Sequence, residues 1–202
     1  MNSNPYQWAG VAALLLAVLF PIYWLHPVNY LAVTNFQEIL RDDLMTLNGW
    51  DALFVLIGAL EVYVYVMLAR MCKDQVNGEL PAILLYVMAG IVVVFTSTVL
   101  FDVAVAVGLI PEVTSSVMFL VLGASITLLV LYSLVALIFA ISLLIRFAAL
   151  PTLIKIFAIG ILLLSLMQLT IILAVVNVFL FPVLLVLLAI QFFRNDHSVE
   201  VV

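Results

Sequence analysis

The final quarter of the chain, residues 147–193, is one apolar block in which Lys155 is the only charged residue. As a single helix, these 47 residues would reach about 70 Å, more than twice the roughly 30 Å of a bilayer's hydrocarbon core. The block must therefore fold back on itself as two membrane spans. We predict spans over about 151–174 and 177–193, with Asn177 at the turn between them.

The rest of the chain has the same character, since 68% of the 202 residues are hydrophobic and only 8% are charged. A soluble domain carries about 25% charged residues to cover its surface, so lipid is the solvent that fits. Residues 1–37 contain no charged side chain, whereas a secretory signal would begin with a positive segment. The first apolar run is therefore a retained span. We predict four further spans, at about 8–26, 50–71, 81–103 and 116–144.

These segments predict an all-α fold: a polytopic bundle of about six transmembrane helices that forms a single transmembrane domain over residues 1–202. With six spans, both termini and the second and fourth loops share one side of the membrane. Only Arg41 among the basic residues falls on the other side. The shared side holds the remaining five, which are Arg70, Lys73, Arg146, Lys155 and Arg194. The positive-inside rule then predicts a protein of the plasma membrane (the inner membrane in a bacterium) with both termini cytoplasmic.

The longest connection, residues 27–49, has a helical pattern of its own. Thr34 and Gln37 have the spacing of a capping box, and apolar residues then recur on one helical stripe up to Leu47. We predict a short interfacial helix over residues 34–47 in the first external loop, lying on the membrane surface. The acidic residues of this loop allow a second interpretation, a docking site for cations or for an outer partner.

The sequence lacks the patterns of catalytic, metal and cofactor sites. Its two histidines, His26 and His197, and its one cysteine, Cys72, are too few for a multi-ligand metal site. No serine–histidine pair falls within the spans and no two carboxylates share one depth, so no catalytic constellation is expected. The formal net charge of −5 argues against nucleic acid, whose phosphates require clustered basic residues. We expect no enzyme activity, cofactor or metal.

Glu61 is the most informative residue, because it falls near the middle of the second span. It lies eleven residues after Trp50, about 17 Å into the membrane at the rise of a helix. A carboxylate at that depth costs several kcal/mol unless it is neutral, paired or wetted, and no Lys or Arg is predicted near it. We expect Glu61 to be protonated, or hydrogen-bonded in a polar interior, at neutral pH.

The neighbours expected around Glu61 come from its own helix and from the fourth span. Tyr65 follows it by four residues and shares its helix face. Counted inward from residue 116, Ser125 and Thr127 reach a similar depth and are expected to hydrogen-bond to it. These four residues form the predicted intramembrane polar site. It is either a proton carrier or ion-binding carboxylate, or an interhelical hydrogen bond of about 1 kcal/mol that fixes packing or oligomer register.

Two further features are predicted toward the external side. Asp102 falls near the outer end of the third span, with Thr98 one turn earlier and able to donate a hydrogen bond to it. This pair is either a boundary carboxylate wetted by water or an outer vestibule that attracts cations. Pro21 and Pro182 follow matching Leu-Phe pairs in the first and last spans and are predicted helix kinks. The kinks are either simply tolerated or act as hinges of an outer gate.

Three functional hypotheses stay open at this stage. The first is a small channel or a proton- or ion-coupled transporter that works as a homo-oligomer, with Glu61 as its coupling or selectivity residue. The second is a non-catalytic accessory or scaffold subunit whose partners are other membrane proteins. The third, a lipid-modifying enzyme, rests only on the ability of lipid substrates to enter sideways. In every case the lipid bilayer is the expected surrounding.

Overall fold

The computed structural model describes residues 4–30, 41, 45–76, 78–110, 113–170 and 172–194, and all regular secondary structure within these ranges is helical. Short 3-10 helices at Phe147–Ala149 and Ile172–Val176 precede the last two α-helices. The prediction of an all-α fold is confirmed. The α-helices are α1 (Gln7–Tyr30), α2 (Gly49–Val76), α3 (Glu79–Thr96), α4 (Val99–Ala106), α5 (Ser115–Leu144), α6 (Thr152–Leu169) and α7 (Asn177–Phe193).

Six segments of the described residues are long and apolar enough to cross a membrane, as the sequence predicted. α3 and α4 together form one of them, Glu79–Ala106, and the 3-10 helix before α7 joins it in the last, Ile172–Phe193. The predicted interfacial helix over residues 34–47 lies outside the described residues, apart from positions 41 and 45–47.

Local capping chemistry sets the ends of two of these helices. At the start of α2, the Trp50 N–H donates to the Asn48 side chain at 2.7 Å, and the Asn48 N–H donates to Asp51 at 2.6 Å. This reciprocal pair is a capping box, which satisfies backbone donors that the first turn leaves free. Beyond α4 the backbone turns at Gly108, whose φ of 77° is readily adopted only by a residue without a side chain.

The long helices form a closed ring. Each packs against its neighbours along the chain: α1 on α2, α2 on α3, α3 on α5, α5 on α6, and α6 on α7. α7 then packs against α1 and closes the ring. A close approach within the ring depends on Gly160 of α6, where a Cβ atom would collide with the Leu184 side chain of α7.

The half of the ring in which α1 begins and α7 ends, here called the termini half, is densely packed. Tyr6, just before α1, donates to Asp74 near the end of α2 at 2.6 Å and stacks on Phe192 of α7, with ring centroids 6.1 Å apart. Side chains from just before α1, from α2 and from α7 therefore meet directly at this end of the bundle. Each of the six spans contributes core side chains that are at most 1% exposed, among them Leu16, Leu68, Leu85, Phe139, Ala158 and Leu188.

The turn between the last two spans differs from the predicted one. α6 ends at Leu169, and the last span already begins at Ile172. Asn177 instead begins α7 and is buried, with its Nδ2 donating to the Leu164 carbonyl at 3.1 Å. Because a neighbouring helix supplies a hydrogen-bond partner, this amide does not need the water of a membrane surface. The prediction of a turn at Asn177 is wrong for that reason.

The two predicted kink sites come together in the ring. Pro21 and Pro182 lie inside α1 and α7, which both continue past them. The preceding residues, Phe20 and Phe181, meet edge to face with ring centroids 4.8 Å apart. The two Leu-Phe-Pro segments thus lie on helices that touch, and their role as hinges stays a prediction.

Candidate functional site

Glu61 lies on the ring-facing side of α2, twelve positions after the helix begins. Tyr65, one turn later, donates a hydrogen bond from its hydroxyl group to Glu61 Oε1 at 2.7 Å. A spacing of four residues places both groups on one helix face, and the structure brings them into direct contact. The phenol is well fixed by its surroundings, since Tyr65 is only 2% exposed.

Tyr132 of α5 completes this arrangement. Its hydroxyl oxygen lies 3.3 Å from the same Glu61 Oε1 and also contacts the Tyr65 hydroxyl, and its single proton can be donated to either of these acceptors. The two phenol rings lie with their centroids 6.4 Å apart. Glu61, Tyr65 and Tyr132 are called the Glu61 cluster below. Because both hydroxyl groups meet Oε1, Glu61 Oε2 receives no hydrogen bond from any residue that the structure describes.

Ser125 and Thr127 do not belong to this cluster. The Thr127 hydroxyl donates to the Gly123 carbonyl of its own helix at 2.7 Å, and Ser125 makes no described hydrogen bond to Glu61. The reason is the length of α5, whose 30 residues extend about 45 Å. Its first turns project beyond the start of α2, so the level of Glu61 is reached only at Tyr132, seventeen positions into α5. The predicted partners are therefore wrong.

Glu61 and Tyr132 line a cavity of about 240 Å³ at the centre of the ring. All six spans contribute residues to its wall. One water molecule needs about 10–15 Å³ of such space, so the cavity has room for a small organic molecule. Most of the wall is apolar or aromatic, and the other side chains with hydroxyl or amide groups that line it are Thr96, Gln168 and Asn177.

Aromatic rings line the cavity toward the end opposite the termini. Phe54 meets Phe95 edge to face at 5.5 Å between centroids, and Trp24 stacks on Phe95 at 6.5 Å. Phe20 and Phe181, described above, continue this surface onto α1 and α7. The five residues Phe20, Trp24, Phe54, Phe95 and Phe181 are called the aromatic wall. The faces of such rings carry partial negative charge.

Asn177 adds a buried polar group to the wall beside α6. Its Nδ2 donates both to the Leu164 carbonyl at 3.1 Å and to Gln168 Oε1 at 3.3 Å. Its Oδ1, in contrast, is buried and accepts no hydrogen bond from the described residues. Leaving a buried acceptor without a donor is unfavourable, and none of the residues that the structure describes supplies a donor to this oxygen atom.

Gly58, one turn before Glu61, sets the width of the cavity between α2 and α3. A Cβ atom at this position would collide with the side chain of Thr96. The glycine therefore allows the two helices to approach at the level of Glu61, and both residues line the cavity.

The cavity wall contains no fixed positive charge. None of the described residues that line it is Lys, Arg or His. Two of the basic side chains lie over aromatic rings near helix ends: Lys73 Nζ is 5.5 Å from the ring centroid of Tyr86, and Lys155 Nζ is 5.0 Å from that of Phe147. An ionised Glu61 would thus depend on hydroxyl donors alone. The Glu61 cluster is chemically suited to hold and release a proton or to bind a mobile cation.

The two predicted vestibule residues lie apart from this cavity. Thr98, just before α4, donates its hydroxyl to the Phe95 carbonyl at 2.7 Å, so the predicted hydrogen bond from Thr98 to Asp102 is not formed. Asp102 is half-buried in the first turn of α4. Neither residue lines the cavity, and their role as a vestibule stays a prediction.

Two members of the site were not expected from the sequence, namely Tyr132 in the Glu61 cluster and Asn177 in the cavity wall. The available signal was weak: each is a hydrogen-bonding side chain within a largely apolar span, and the span of Tyr132 also contains several serine and threonine residues. Among the described residues, no group of three or more His, Cys, Asp or Glu side chains could hold a metal ion. No family model, curated protein or solved structure matches the chain.

Proposed function

We propose that this chain is a multi-pass membrane protein that couples the movement of a small solute to the movement of protons. The surface of the ring supports the membrane part of this proposal. α1, for example, exposes Leu15, Val18 and Ile22, while Ala13 and Leu16 are buried against neighbouring helices. Apolar surface on this scale is unsuited to water and suited to lipid.

The proposed orientation has both termini in the cytoplasm of a plasma membrane, the inner membrane in a bacterium. Its support is the distribution of basic residues, which gather at the termini end of the ring as cytoplasmic loops require. These residues are Arg70, Lys73, Arg146, Lys155 and Arg194.

The transport part of the proposal is carried by one observation, the position of Glu61 in the wall of a central cavity that has no fixed positive charge. Ionisable residues that face a cavity within a membrane are typical of proton and ion pathways. The dense packing of the termini half closes the cavity on that side. A closed end favours a transporter that exposes its site alternately to the two sides over an open channel.

In the proposed mechanism Glu61 carries the proton on Oε2, because Oε1 already accepts the hydroxyl of Tyr65. When the O–H bond at Oε2 breaks, its electron pair stays on the carboxylate and the proton leaves through the cavity. Tyr65 and Tyr132 then continue to donate to the ionised group, and hydrogen bonds to a charged acceptor are the stronger kind. One chain is sufficient for this mechanism, since its own six spans enclose the cavity.

Proteoliposomes that contain a trapped pH indicator test the proposal. An acid-inside pH gradient is imposed, and four solutes with one benzene ring are added outside in turn: the cation benzyltrimethylammonium, neutral benzyl alcohol, zwitterionic phenylalanine and the anion benzenesulfonate. We expect at least one solute to accelerate proton movement. Glu61→Gln should lower that acceleration about tenfold or more, because an amide cannot release a proton.

Glu79→Gln is the matched control. Glu79 is an exposed carboxylate in the first turn of α3 and does not line the cavity, so its neutralisation should leave proton movement unchanged. Proton movement that no solute accelerates, or that Glu61→Gln leaves intact, would overturn the transport proposal. The hypothesis of an accessory subunit would then take its place.

The orientation is tested separately by thiol labelling. Cys72 is itself 1% exposed and is therefore a poor target, so the test uses Lys73→Cys in a Cys72→Ser background. Lys73 is an exposed side chain near the end of α2. In intact cells, a membrane-impermeant maleimide should label this variant only after the cells are opened. Labelling from outside would invert the proposed orientation.

A further inference from the structure

We propose that the solute is a small organic cation with an apolar body, which takes the place of the proton on Glu61 in the central cavity. This inference rests on the transport function proposed above and adds the chemical class of the solute. Four features of the cavity support it: its charge, its aromatic faces, its unsatisfied acceptor and its size.

The charge of the cavity requires a mobile positive partner. The titratable groups that face Glu61 are Tyr65 of its own helix and Tyr132 of α5. The helices packed against α2, which are α1 and α3, line the cavity with Thr96 and otherwise with apolar or aromatic side chains. A bare carboxylate is strongly disfavoured in such surroundings. Either a proton or another cation must therefore accompany Glu61 in each stable state.

The aromatic wall is suited to an organic cation rather than to an inorganic ion. A positive charge within about 6 Å of a ring centroid is attracted to the negative face of the ring. Rings from α1, α2, α3 and α7 surround the cavity above Glu61. These faces also bury the apolar part of a solute, which a hydrated inorganic ion lacks. An organic cation gains from both properties of the wall.

The unsatisfied polar atom of the site is an acceptor. Glu61 Oε2 receives no hydrogen bond from the described residues. A positively charged or donating group satisfies such an atom, whereas an anion would be repelled by it. A neutral solute would leave the proton in place and exchange for nothing.

The volume of the cavity limits the size of the solute. About 240 Å³ lies slightly below the range of about 300–1,000 Å³ typical of sites for drug-sized ligands. A single aromatic ring or a short alkyl body with one cationic head matches this space. Larger polycyclic cations would have to expand the ring of helices.

The exchange has a fixed stoichiometry of one proton released for each cation bound. The O–H bond at Glu61 Oε2 breaks, the electron pair remains on the carboxylate, and the proton leaves to water. The cation then pairs with the carboxylate, so the net charge of the site is unchanged. Proton and cation compete for the same atom, and neither binds tightly while the other is present.

Benzyltrimethylammonium is the probe for this exchange, because its charge is permanent. Titration calorimetry of the full-length protein in detergent, repeated in buffers of different ionisation enthalpy, measures both affinity and proton release. We expect close to one proton released per bound cation in the pH range where Glu61 is protonated. Within that range the affinity should fall up to about tenfold for each unit of decreasing pH, as linkage requires.

Three variants isolate the role of the carboxylate. Glu61→Gln should weaken binding of the probe about tenfold or more and abolish proton release. Glu61→Asp retains an acid and should retain proton release, even if the shorter side chain lowers affinity, so it guards against loss of folding as the explanation. Glu79→Gln should match the wild-type protein in both quantities. Benzyl alcohol, the neutral analogue, should bind without releasing protons.

The outcomes separate this inference from the transport function. Binding of benzyl alcohol at least as tight as that of the cation, or cation binding without proton release, would overturn the inference. A neutral or zwitterionic solute that drives Glu61-dependent proton movement in proteoliposomes, while the cation does not, would also overturn it and leave the transport function standing. Cation binding with proton release in detergent, without any solute-driven proton movement in proteoliposomes, would support the site and reject transport.

Discussion

The two halves of the ring of helices differ in how tightly their side chains pack. The termini half is filled by side chains such as Phe139 and Leu188, which are 1% exposed, and it is fastened at its end by the hydrogen bond between Tyr6 and Asp74. The opposite half has the same helices and similar hydrophobicity but encloses a cavity. The difference shows that a shared apolar composition does not determine packing density, which depends on how side-chain sizes match across the ring.

The two halves also differ in the surroundings of their polar groups, since Ser142 and Gln191 of the termini half are buried among side chains. Glu61, Tyr132 and Asn177 line an open space, where a proton, water or a solute can satisfy them. If the protein transports a solute, side chains of the termini half must move apart so that the cavity opens on that side. The aromatic wall must then close the cavity on the other side. The termini half is thus expected to control the rate of the conformational change.

Removing one phenylalanine side chain from each half should give the largest difference in the free energy of unfolding. Phe139→Ala leaves a hole among fixed neighbours, and comparable truncations in soluble cores cost about 3–5 kcal/mol. Phe95→Ala only enlarges an existing cavity and should cost clearly less. Titration of the purified variants with SDS in mixed micelles measures the free energy of unfolding. Equal losses for the two variants would show that the halves are packed alike.

Enlarging a side chain in each half tests the same difference in packing. Ala136 is 0% exposed, so Ala136→Leu should destabilise the protein by about 1–3 kcal/mol through overpacking. Ala174 borders the cavity, and Ala174→Leu should change stability by less than about 0.5 kcal/mol while lowering the affinity for benzyltrimethylammonium. Thermal unfolding in detergent and calorimetry test both expectations. A larger loss of stability for Ala174→Leu would contradict them.

The buried amide in the cavity wall should have a smaller effect. Asn177→Leu removes the hydrogen bonds to Leu164 and Gln168, and such bonds in membrane proteins contribute on average about 0.6 kcal/mol and at most about 1.7 kcal/mol. Ser133→Ala is the control, because its hydroxyl donates only to the Leu129 carbonyl of its own helix at 2.7 Å and its loss should be nearly neutral. A Ser133→Ala loss as large as that of Asn177→Leu would show that the interhelical bonds add nothing.

The smallest expected effect on stability concerns the hydrogen bond between Tyr6 and Asp74 at the end of the termini half. Burial, and next the hydrogen bond to Asp74, raise the pKa of Tyr6 above its usual value. The contribution of this phenol is therefore complete below about pH 10 and is lost as pH rises through the higher pKa of the folded state. Tyr6→Phe should cost less than about 1 kcal/mol at pH 8, since the bond is solvent-accessible. Its melting temperature should also fall less steeply than that of the wild type above pH 10.

Much of the fold follows from the sequence, because the number of spans depends on the lengths of the apolar runs. The 47-residue block had to become two spans whatever its packing. The position of the turn between the last two spans was not predictable from composition. Asn177 donates to the Leu164 carbonyl, a partner that only the folded ring of helices provides. A polar residue within an apolar block is equally compatible with a turn and with a buried hydrogen bond.

The site was predictable along one helix but not between helices. Glu61 and Tyr65 share a face because helical periodicity is fixed, and they are in contact at 2.7 Å. Tyr132 was missed because counting depth from a helix end assumes that every helix begins at the membrane boundary. α5, with 30 residues, does not fit that assumption. Relative axial shifts of helices, which depend on packing, are the information that one sequence does not contain.

Closure of the ring by α1 and α7 has a consequence for biosynthesis. If the chain inserts into a membrane from the N-terminus, as the proposed function requires, α1 lies beside α2 until every other span has been made, and the wall of the central cavity is incomplete before α7 arrives. Until then the carboxyl group of Glu61 has an open flank toward lipid or toward the insertion machinery. Assembly of the last hairpin is thus the step that encloses this acid, and a chain that lost α7 would leave it facing the bilayer.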